Sequence, residues 1–361
     1  MSTARTATST ALRLARKAWQ LQFEDSAQSG LLADQALARA AGADDLPAQA
    51  WARLARGFHV MRHVTSADGA AELEHAQRCF DLLSDRRGFI LAAVGIARCA
   101  WMEGRLQESL ELITPLRDEG LRVLKQEERG MLLNGIAGCY STLGESAQAF
   151  AYMYQALRES SPAYNNGFDT VLFCNLAHEL YQLGDCEAAL SYVQEGLTRC
   201  ERLANPRLRN VLLVNRVVSL LELDRAQEAM ADVHSLMAAN AHITGPGSQG
   251  VAYEALALAA IRTGDVALGE RLIARALQTQ PQDPLPEVRV DVAVAQAELL
   301  KAQGSPDEAV DRLLAELPLH SPGVSLRTHC LVRASLADLY TQLGQSDQAL
   351  AQLQQWRASH L

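Results

Sequence analysis

Two histidines have a spacing that could support metal chemistry. His59 and His63 stand four residues apart, so on a helix both imidazoles would face one side, with His75 near them on a paired helix. A zinc site needs further ligands, and a metalloprotease would also carry a glutamate between the two histidines. The sequence supplies neither, so we interpret these histidines as surface or packing residues and predict no metal site.

A second pattern would suit a dinucleotide. Gly245, Gly247 and Gly250 spell G-x-G-x-x-G, whose glycines let the backbone approach a pyrophosphate when the motif joins a strand to a helix. Here the motif follows a helical segment and contains Pro246, so we interpret it as a linker. The sequence contains no P-loop, no G-x-S-x-G and no H-E-x-x-H motif. We therefore predict a protein with no enzymatic activity and no cofactor.

The amino-acid composition limits which binding partners and which cellular compartment we expect for this protein. The 361 residues include seven cysteines, carry a formal net charge of −9, and are 48% hydrophobic but only 5% aromatic. This mixture indicates alanine- and leucine-rich helices, and the negative charge disfavours direct binding to nucleic acid or to acidic membranes. The N-terminus lacks the apolar core of a secretory signal, and the longest apolar run is too short to span a membrane. With an odd number of cysteines and no C-x-x-C pair, we predict a cytoplasmic protein.

The elements that would position any site follow a repeat of 40 residues. We call the nine positions spaced 40 residues apart from Glu24 to Gly344 the marks of the repeat. Three of them are Glu24, Val64 and Asp224. The other six marks are glycines, namely Gly104, Gly144, Gly184, Gly264, Gly304 and Gly344. A glycine can adopt the left-handed conformation that ends one helix and turns the chain into the next. The period therefore predicts nine helical hairpins, with a mark at the turn of each.

Small residues keep the same register. Five residues after each mark stands Ser29, Gly69, Ser109, Ala149, Ala189, Ala229, Gly269, Ala309 or Ala349. Seven residues before the mark the residues are again small, except for Lys17 and Val217. Small side chains let the paired helices approach closely, and stacked hairpins can bury the apolar faces that a single hairpin would leave exposed.

Two segments carry a family resemblance. Residues 175–197 (NLAHELYQLGDCEAALSYVQEGL) and 335–353 (SLADLYTQLGQSDQALAQL) resemble the tetratricopeptide repeat, in which a small residue, a Tyr or Leu, a Leu-Gly turn and an Ala-Leu pair follow in order. The resemblance is strong from about residue 88 and weak in the first two units. HEAT and armadillo units share the period but do not need a glycine turn followed by a small residue.

The resemblance implies an all-α fold, a right-handed α-solenoid (superhelix) of about nine hairpins that forms one domain over residues 1–361. The expected units are 1–43, 44–86, 87–125, 126–162, 163–205, 206–245, 246–285, 286–322 and 323–361. They exceed the common repeat of about 34 residues. Long units of this type resemble those of the maltose-regulator class of transcription activators. They also resemble the sensory regions that precede diguanylate cyclase domains.

By the same resemblance, the first helix of each unit lines a concave face, and its exposed stripe lies thirteen, ten, six and three residues before the mark. On or beside this stripe we expect a partner-binding set of Arg98, Trp101, Asn134, Asn175, His178, Tyr181, Asn215 and Glu254. Asparagine amides can bind both polar groups of a peptide backbone, as they do in related proteins. The asparagines could instead cap or bridge helices, and the two aromatic residues could be packing residues.

These observations predict a protein–protein interaction scaffold that binds a peptide or protein partner along its concave face. A homodimer is one oligomeric state compatible with the sequence. The alternative is a regulatory or sensory input module of a bacterial signalling protein, of the diguanylate cyclase or transcription-regulator type, whose output domain is absent from this chain. Glutamines at 352, 354 and 355 could provide a polar cap at the end of the array.

Overall fold

The computed structural model describes residues 9–159, 167–241, 250–280, 286–316 and 324–359. Within these ranges the chain forms α-helices and one 3₁₀ turn, Thr114–Leu116, and contains no strand. The prediction of an all-α fold built from helical hairpins is confirmed. In the described part of the chain, no helix combines the length and apolar character needed to cross a bilayer.

The helices alternate as first and second arms of hairpins, and the second arm of the third hairpin is divided by the 3₁₀ turn. In chain order they are α1 (Thr10–Leu21), α2 (Ser26–Ala41), α3 (Leu46–His63), α4 (Ser66–Leu82), α5 (Arg86–Met102), α6 (Leu106–Ile113), α7 (Arg117–Val123), α8 (Gln126–Thr142), α9 (Ser146–Glu159), α10 (Phe168–Gln182), α11 (Cys186–Cys200), α12 (Pro206–Glu222), α13 (Ala226–Ala239), α14 (Tyr253–Arg262), α15 (Val266–Thr279), α16 (Pro286–Ala302), α17 (Pro306–Leu314), α18 (Leu326–Gln342) and α19 (Ser346–Ser359).

The marks of the repeat lie at the turns of the hairpins. All six glycines have positive φ between 74° and 88°, and Asp224 has φ 56°. After Gly144, the amide of Glu145 donates to the Tyr140 carbonyl at 2.9 Å, which closes the end of α8. The first two marks differ, since Val64 has φ −123°. The turns of the first two hairpins therefore lack the left-handed residue, as the weaker resemblance there suggested.

Aspartates begin many of the helices. Asp45 accepts a hydrogen bond from the Ala48 amide at 3.1 Å, and Asp265 accepts one from the Leu268 amide at 3.0 Å. A carboxylate at this position satisfies an amide that has no partner within the helix and interacts favourably with the helix dipole. The chain can therefore restart a helix within one or two residues of the preceding turn.

Small side chains lie where the two arms of each hairpin cross. All nine residues of the column five after the mark are buried. A Cβ atom on Gly69 would lie 2.5 Å from the Cβ of Met61, and one on Gly269 would lie 2.4 Å from Cγ1 of Ile261. The column therefore fixes how closely the arms approach, as its composition predicted.

The described residues fall into two compact units, the first formed by residues 1–172 and 198–205. Its core contains a chain of aromatic rings in which Trp19 lies 5.2 Å from Phe58, and Trp51 lies 5.2 Å from Phe80, between ring centroids. The Trp19 indole donates to the Glu128 carboxylate at 3.1 Å, which joins α1 to α8. The interior of this unit is thus closed by packed aromatic side chains.

The second unit is formed by residues 173–197 and 206–361. Its apolar core lies between the arms of successive hairpins, around Leu256 and Leu272 in one cluster and around Leu313 and Leu336 in another. The nine-unit division within one solenoid stays a prediction, because several of its boundaries lie outside the described residues.

The close crossing at Gly69 yields a stability prediction. Gly69→Ala should lower the free energy of unfolding by about 1–3 kcal/mol, since the added methyl group must push α3 and α4 apart. Gly42→Ala is the matched control, because a Cβ there meets no atom within 4 Å and φ is −83°. We expect the control to keep or gain stability by up to about 1 kcal/mol. Urea unfolding of both variants checks this, and equal effects would contradict it.

Candidate functional site

Charged and aromatic side chains from several first helices of the second unit lie close to one another. Arg327, at the start of α18, forms an ion pair with Glu222 at the end of α12. Its guanidinium carbon also lies 3.9 Å from the ring centroid of Tyr181 on α10. Side chains from three hairpins therefore meet at one point, although they are far apart in sequence. We call the surrounding group the inner site, and it consists of His178, Tyr181, Glu222, Glu254, Glu287, Asp291 and Arg327.

Two carboxyl groups of the inner site, those of Glu254 and Asp291, have raised pKa values. Burial raises the pKa of Glu254 to about 7. Burial also raises the pKa of Asp291 well above its usual value, an effect that the charges of Glu287 and Glu254 increase and Arg327 opposes. Neither Glu254 nor Asp291 forms an ion pair with a described residue. Their environment therefore favours a proton, or a cation brought from outside.

His178 and Tyr181 form the α10 side of the inner site. The His178 side chain is exposed to solvent, yet burial is the main cause of its lowered pKa. Both observations fit a recessed surface, where water reaches the ring while protein surrounds it on several sides. Burial likewise raises the pKa of the Tyr181 phenol, so Tyr181 stays neutral. The rings of His178 and Tyr181 lie 6.4 Å apart.

Glu287 positions α18 against α16. Its carboxylate accepts a hydrogen bond from the Ser325 amide at 2.7 Å and another from the Ser325 hydroxyl at 2.8 Å. The Thr328 hydroxyl donates to the same carboxylate at 2.5 Å. These bonds fix the beginning of α18, and with it the place from which Arg327 extends.

The three asparagines of the expected partner-binding set differ in their surroundings. Asn134 and Asn215 are buried, whereas Asn175 is partly exposed. The Asn215 amide donates to the Cys174 carbonyl at 3.0 Å and so bridges α12 to α10. The nitrogen of Asn215 is thus already used within the protein, and Asn175 is the most exposed residue of the three.

In the first unit the stripe residues pack on the neighbouring first helix. The Trp101 indole donates to the Gly138 carbonyl at 3.0 Å and to the Thr142 hydroxyl at 2.9 Å. The Arg98 guanidinium stacks on the Trp101 ring, with 4.1 Å between its carbon and the ring centroid. Arg98 and Trp101 are both partly exposed, so they form one cationic and aromatic surface that joins α5 to α8.

The histidines considered for a metal have protein partners. Nδ1 of His59 lies 2.9 Å from the Ser26 carbonyl oxygen, and Nε2 of His63 lies 3.0 Å from the Ser26 hydroxyl. Both rings therefore pack on the start of α2. Among the described residues, no group of three or more His, Cys, Asp or Glu side chains could hold a metal ion. Gly245 and Gly247 of the glycine pattern lie outside the described residues.

Two clefts outside the inner site are each bordered by an arginine and a carboxylate that bond to each other. A cleft of 410 Å³ in the first unit is bordered by Arg87 and Glu128, which form a hydrogen bond of 2.8 Å. A cleft of 580 Å³ in the second unit is bordered by Arg216 and Asp232, which form one of 2.6 Å. Because these charges neutralise each other, the inner site is the stronger candidate for a ligand.

Solved structures of other proteins share this fold. The apo form of the quorum sensor NprR from B. thuringiensis matches with a TM-score of 0.56 at 14% identity, over 86% of this chain and 98% of that chain. NprR in complex with its cognate peptide NprX matches with a TM-score of 0.53. The apo form of RapI matches with a TM-score of 0.56 at 10% identity, over 97% of this chain and 98% of that chain.

Human IFIT1, solved as a dimer with PPP-AAAA, matches with a TM-score of 0.52 at 14% identity, over 92% of this chain and 79% of that chain. No protein-family model and no curated sequence matches this chain. At such low identity these structures define the fold alone. The chain shares the all-α, helical-hairpin fold of NprR and RapI.

Four of the seven inner-site residues stand at positions of the expected stripe, and three lie beyond it. Asp291 stands thirteen residues before its mark, a stripe position that could have been included from the sequence. Glu287 and Arg327 both stand seventeen before their marks, one helical turn earlier on the same face. Glu222 stands two before its mark, beside the stripe. Extending the stripe by one turn would have found Glu287 and Arg327.

The raised pKa of Glu254 predicts a pH-dependent stability. Between about pH 4.5 and pH 7, Glu254 is protonated in the folded protein but ionised in the unfolded chain. Its contribution therefore lowers the free energy of unfolding as the pH rises through this range. Glu254→Gln removes the effect. As the pH rises from 4.5 to 8, the free energy of unfolding of the variant should increase by about 1–3 kcal/mol relative to that of the wild type. Urea unfolding at both pH values checks this, and a pH-independent difference would contradict it.

Proposed function

We propose that this chain is a non-enzymatic interaction scaffold that binds a segment of another protein along the inner faces of its first helices. The observation that carries the proposal is the pair Glu254 and Asp291, two recessed carboxyl groups with no ion pair to a described residue. A lysine or arginine of a partner would offset the cost of burying these charges. The partner segment is therefore basic at the position that enters the inner site.

The expected partner-binding residues contribute in different ways. His178 and Asn175 lie three residues apart on the partly exposed face of α10 and are proposed to contact the backbone of a bound peptide. Tyr181 and Glu254 form the wall and the acidic floor of the inner site. Asn215 is proposed to support the inner site from α12, and Arg98, Trp101 and Asn134 are proposed as partner-binding residues of the first unit.

A peptide ligand is also what one structural neighbour binds, since NprR was solved with its cognate peptide NprX. IFIT1 was solved with the oligonucleotide PPP-AAAA. For this chain a nucleic acid is not proposed, because the net charge of −9 and the acidic inner site would repel phosphates. We also propose a cytoplasmic location, which is supported by seven buried cysteines that remain thiols rather than disulfides.

An array of extended peptides that differ only in their number of lysines and arginines tests the proposal. We expect basic peptides to bind the wild type, and the Glu254→Gln, Asp291→Asn double variant to bind them about tenfold or more weakly, because it removes the groups that attract the cation. Fluorescence anisotropy of a labelled peptide measures the affinity.

The control carries the same loss of charge on an outer surface. Glu74 and Asp81 are exposed residues of α4, so Glu74→Gln with Asp81→Asn should leave affinity within about twofold. If both double variants lost the same affinity, the loss would result from the change in net charge and not from the inner site. No binding by any peptide, or undiminished binding by the inner-site variant, would contradict the proposal.

A regulatory or sensory input module is the second candidate, and Arg327 is the observation that favours it. This single side chain joins α18 to α12 and α10, so a cation that competes for Glu222 would break these contacts and loosen the first turns of α18. Hydrogen exchange of residues 325–333 should then increase when a basic peptide binds. Unchanged exchange at saturation would remove this candidate and leave the scaffold proposal standing.

A further inference from the structure

The cleft of 410 Å³ in the first unit has further groups besides the paired Arg87 and Glu128. Residues of α1, α3, α5 and α8 border it, and its apolar atoms come from Trp19, Trp51 and Met131. All three of these side chains are buried. The volume lies within the range of about 300–1,000 Å³ that is typical of small-molecule sites. The size of the cleft therefore suits a small organic ligand.

One carboxylate of the cleft is fully bonded within the protein. Glu128 accepts hydrogen bonds from the Trp19 indole at 3.1 Å, from Nε of Arg87 at 2.8 Å and from the Lys125 amide at 3.0 Å. The Arg87 guanidinium also stacks on Trp51, with 4.6 Å between its carbon and the ring centroid. These bonds neutralise Glu128 and hold the aromatic side of the cleft in place before any ligand binds.

Gln22 brings a buried donor to the cleft. It borders the cleft although it is only 4% exposed. Its side-chain oxygen accepts a hydrogen bond from Arg62 at 3.5 Å, and its backbone carbonyl accepts another from Arg62 at 3.1 Å. The side-chain nitrogen of Gln22 donates to no residue that the structure describes. Because a buried donor without a partner is costly, this nitrogen favours a ligand that carries an acceptor.

The charges around the cleft favour an anion. Arg16 and Lys125 border it, are exposed to solvent and form no ion pair with a described residue. Glu127 is the remaining carboxylate of the border, since Arg87 and Glu128 neutralise each other. The cleft thus has an excess of one positive charge, whereas the whole chain has a net charge of −9. This excess matches a monoanion better than a phosphate dianion, whose second charge would lack a counterion and be repelled by Glu127.

We propose that this cleft binds a small organic acid, a monocarboxylate with a short apolar or aromatic body. The carboxylate accepts a hydrogen bond from the Gln22 side-chain nitrogen and is attracted by Arg16 and Lys125. The apolar body of the acid packs against Trp19 and Met131. The site lies within the first unit and does not rest on the function proposed for the inner site.

Isothermal titration of the full chain with acetate, butyrate and phenylacetate tests the site. We expect phenylacetate to bind most tightly, and its neutral counterpart phenylacetamide to bind about tenfold or more weakly because it lacks the charge. Inorganic phosphate should not displace phenylacetate. The proposal is overturned if none of the three acids binds at about 10 mM. Equal affinity for the amide, or displacement by an equal concentration of phosphate, also overturns it.

Paired charge removals locate the binding. Arg16→Gln with Lys125→Gln should weaken phenylacetate binding by about tenfold or more. The control, Lys17→Gln with Arg39→Gln, removes the same charge from exposed positions outside the cleft and should keep the affinity within about twofold. All four residues are exposed, so both variants should keep the helical circular dichroism of the wild type. Equal losses of affinity in the two double variants overturn the proposal.

Gln22→Met tests the buried donor, because it keeps the length of the side chain and removes the amide. We expect phenylacetate to bind this variant about threefold or more weakly. Undiminished affinity in a variant with the circular dichroism of the wild type overturns the proposal, since the ligand would then not contact this donor. Peptide binding at the inner site is measured separately, so failure of either proposal leaves the other testable.

Discussion

Close approach of paired helices at one column of small residues is the constraint on which the rest of the structure depends. Because Gly69 and Gly269 leave no room for a Cβ atom, the arms of their hairpins lie at a distance that a larger side chain would forbid. At that distance each hairpin buries part of its apolar surface and leaves the remainder for its neighbour. The burial of residues such as Leu313 follows from this dependence of each hairpin on the next.

The two compact units use the inner faces of their first helices differently. In the first unit, aromatic rings fill the interior, and the buried carboxylate of Glu128 is bound by Trp19, Arg87 and the Lys125 amide. In the second unit, the corresponding faces carry charged and polar groups, and two carboxyl groups have no ion pair to a described residue. An interior whose polar groups are paired contributes stability. Buried carboxyl groups without an ion pair to a described residue are instead suited to binding a cation.

The hairpins and their register could be predicted because each depends on residues close in sequence, such as the glycine and aspartate at a turn. The inner site could be predicted only in part. The stripe placed His178, Tyr181 and Glu254 on one face, but the pairing of Arg327 with Glu222 depends on how several hairpins stack, which no single repeat encodes. The burial of Asn215 has the same origin, since its partner carbonyl belongs to another hairpin.

Burial raises the pKa of the acids of the inner site and lowers the pKa of its histidine, and both shifts favour the neutral form of the group. The pKa of Glu254 rises to about 7 while the pKa of His178 falls, so near neutral pH the carboxyl group is partly protonated and the imidazole is neutral. A bound cation would reverse the first effect, because it stabilises the carboxylate, and it would meet no opposing charge on His178. Binding of a basic segment would therefore release a proton, and its affinity would rise with pH through neutrality. The recessed position that makes these groups costly to ionise in the free protein is thus what would make them selective for a cationic partner.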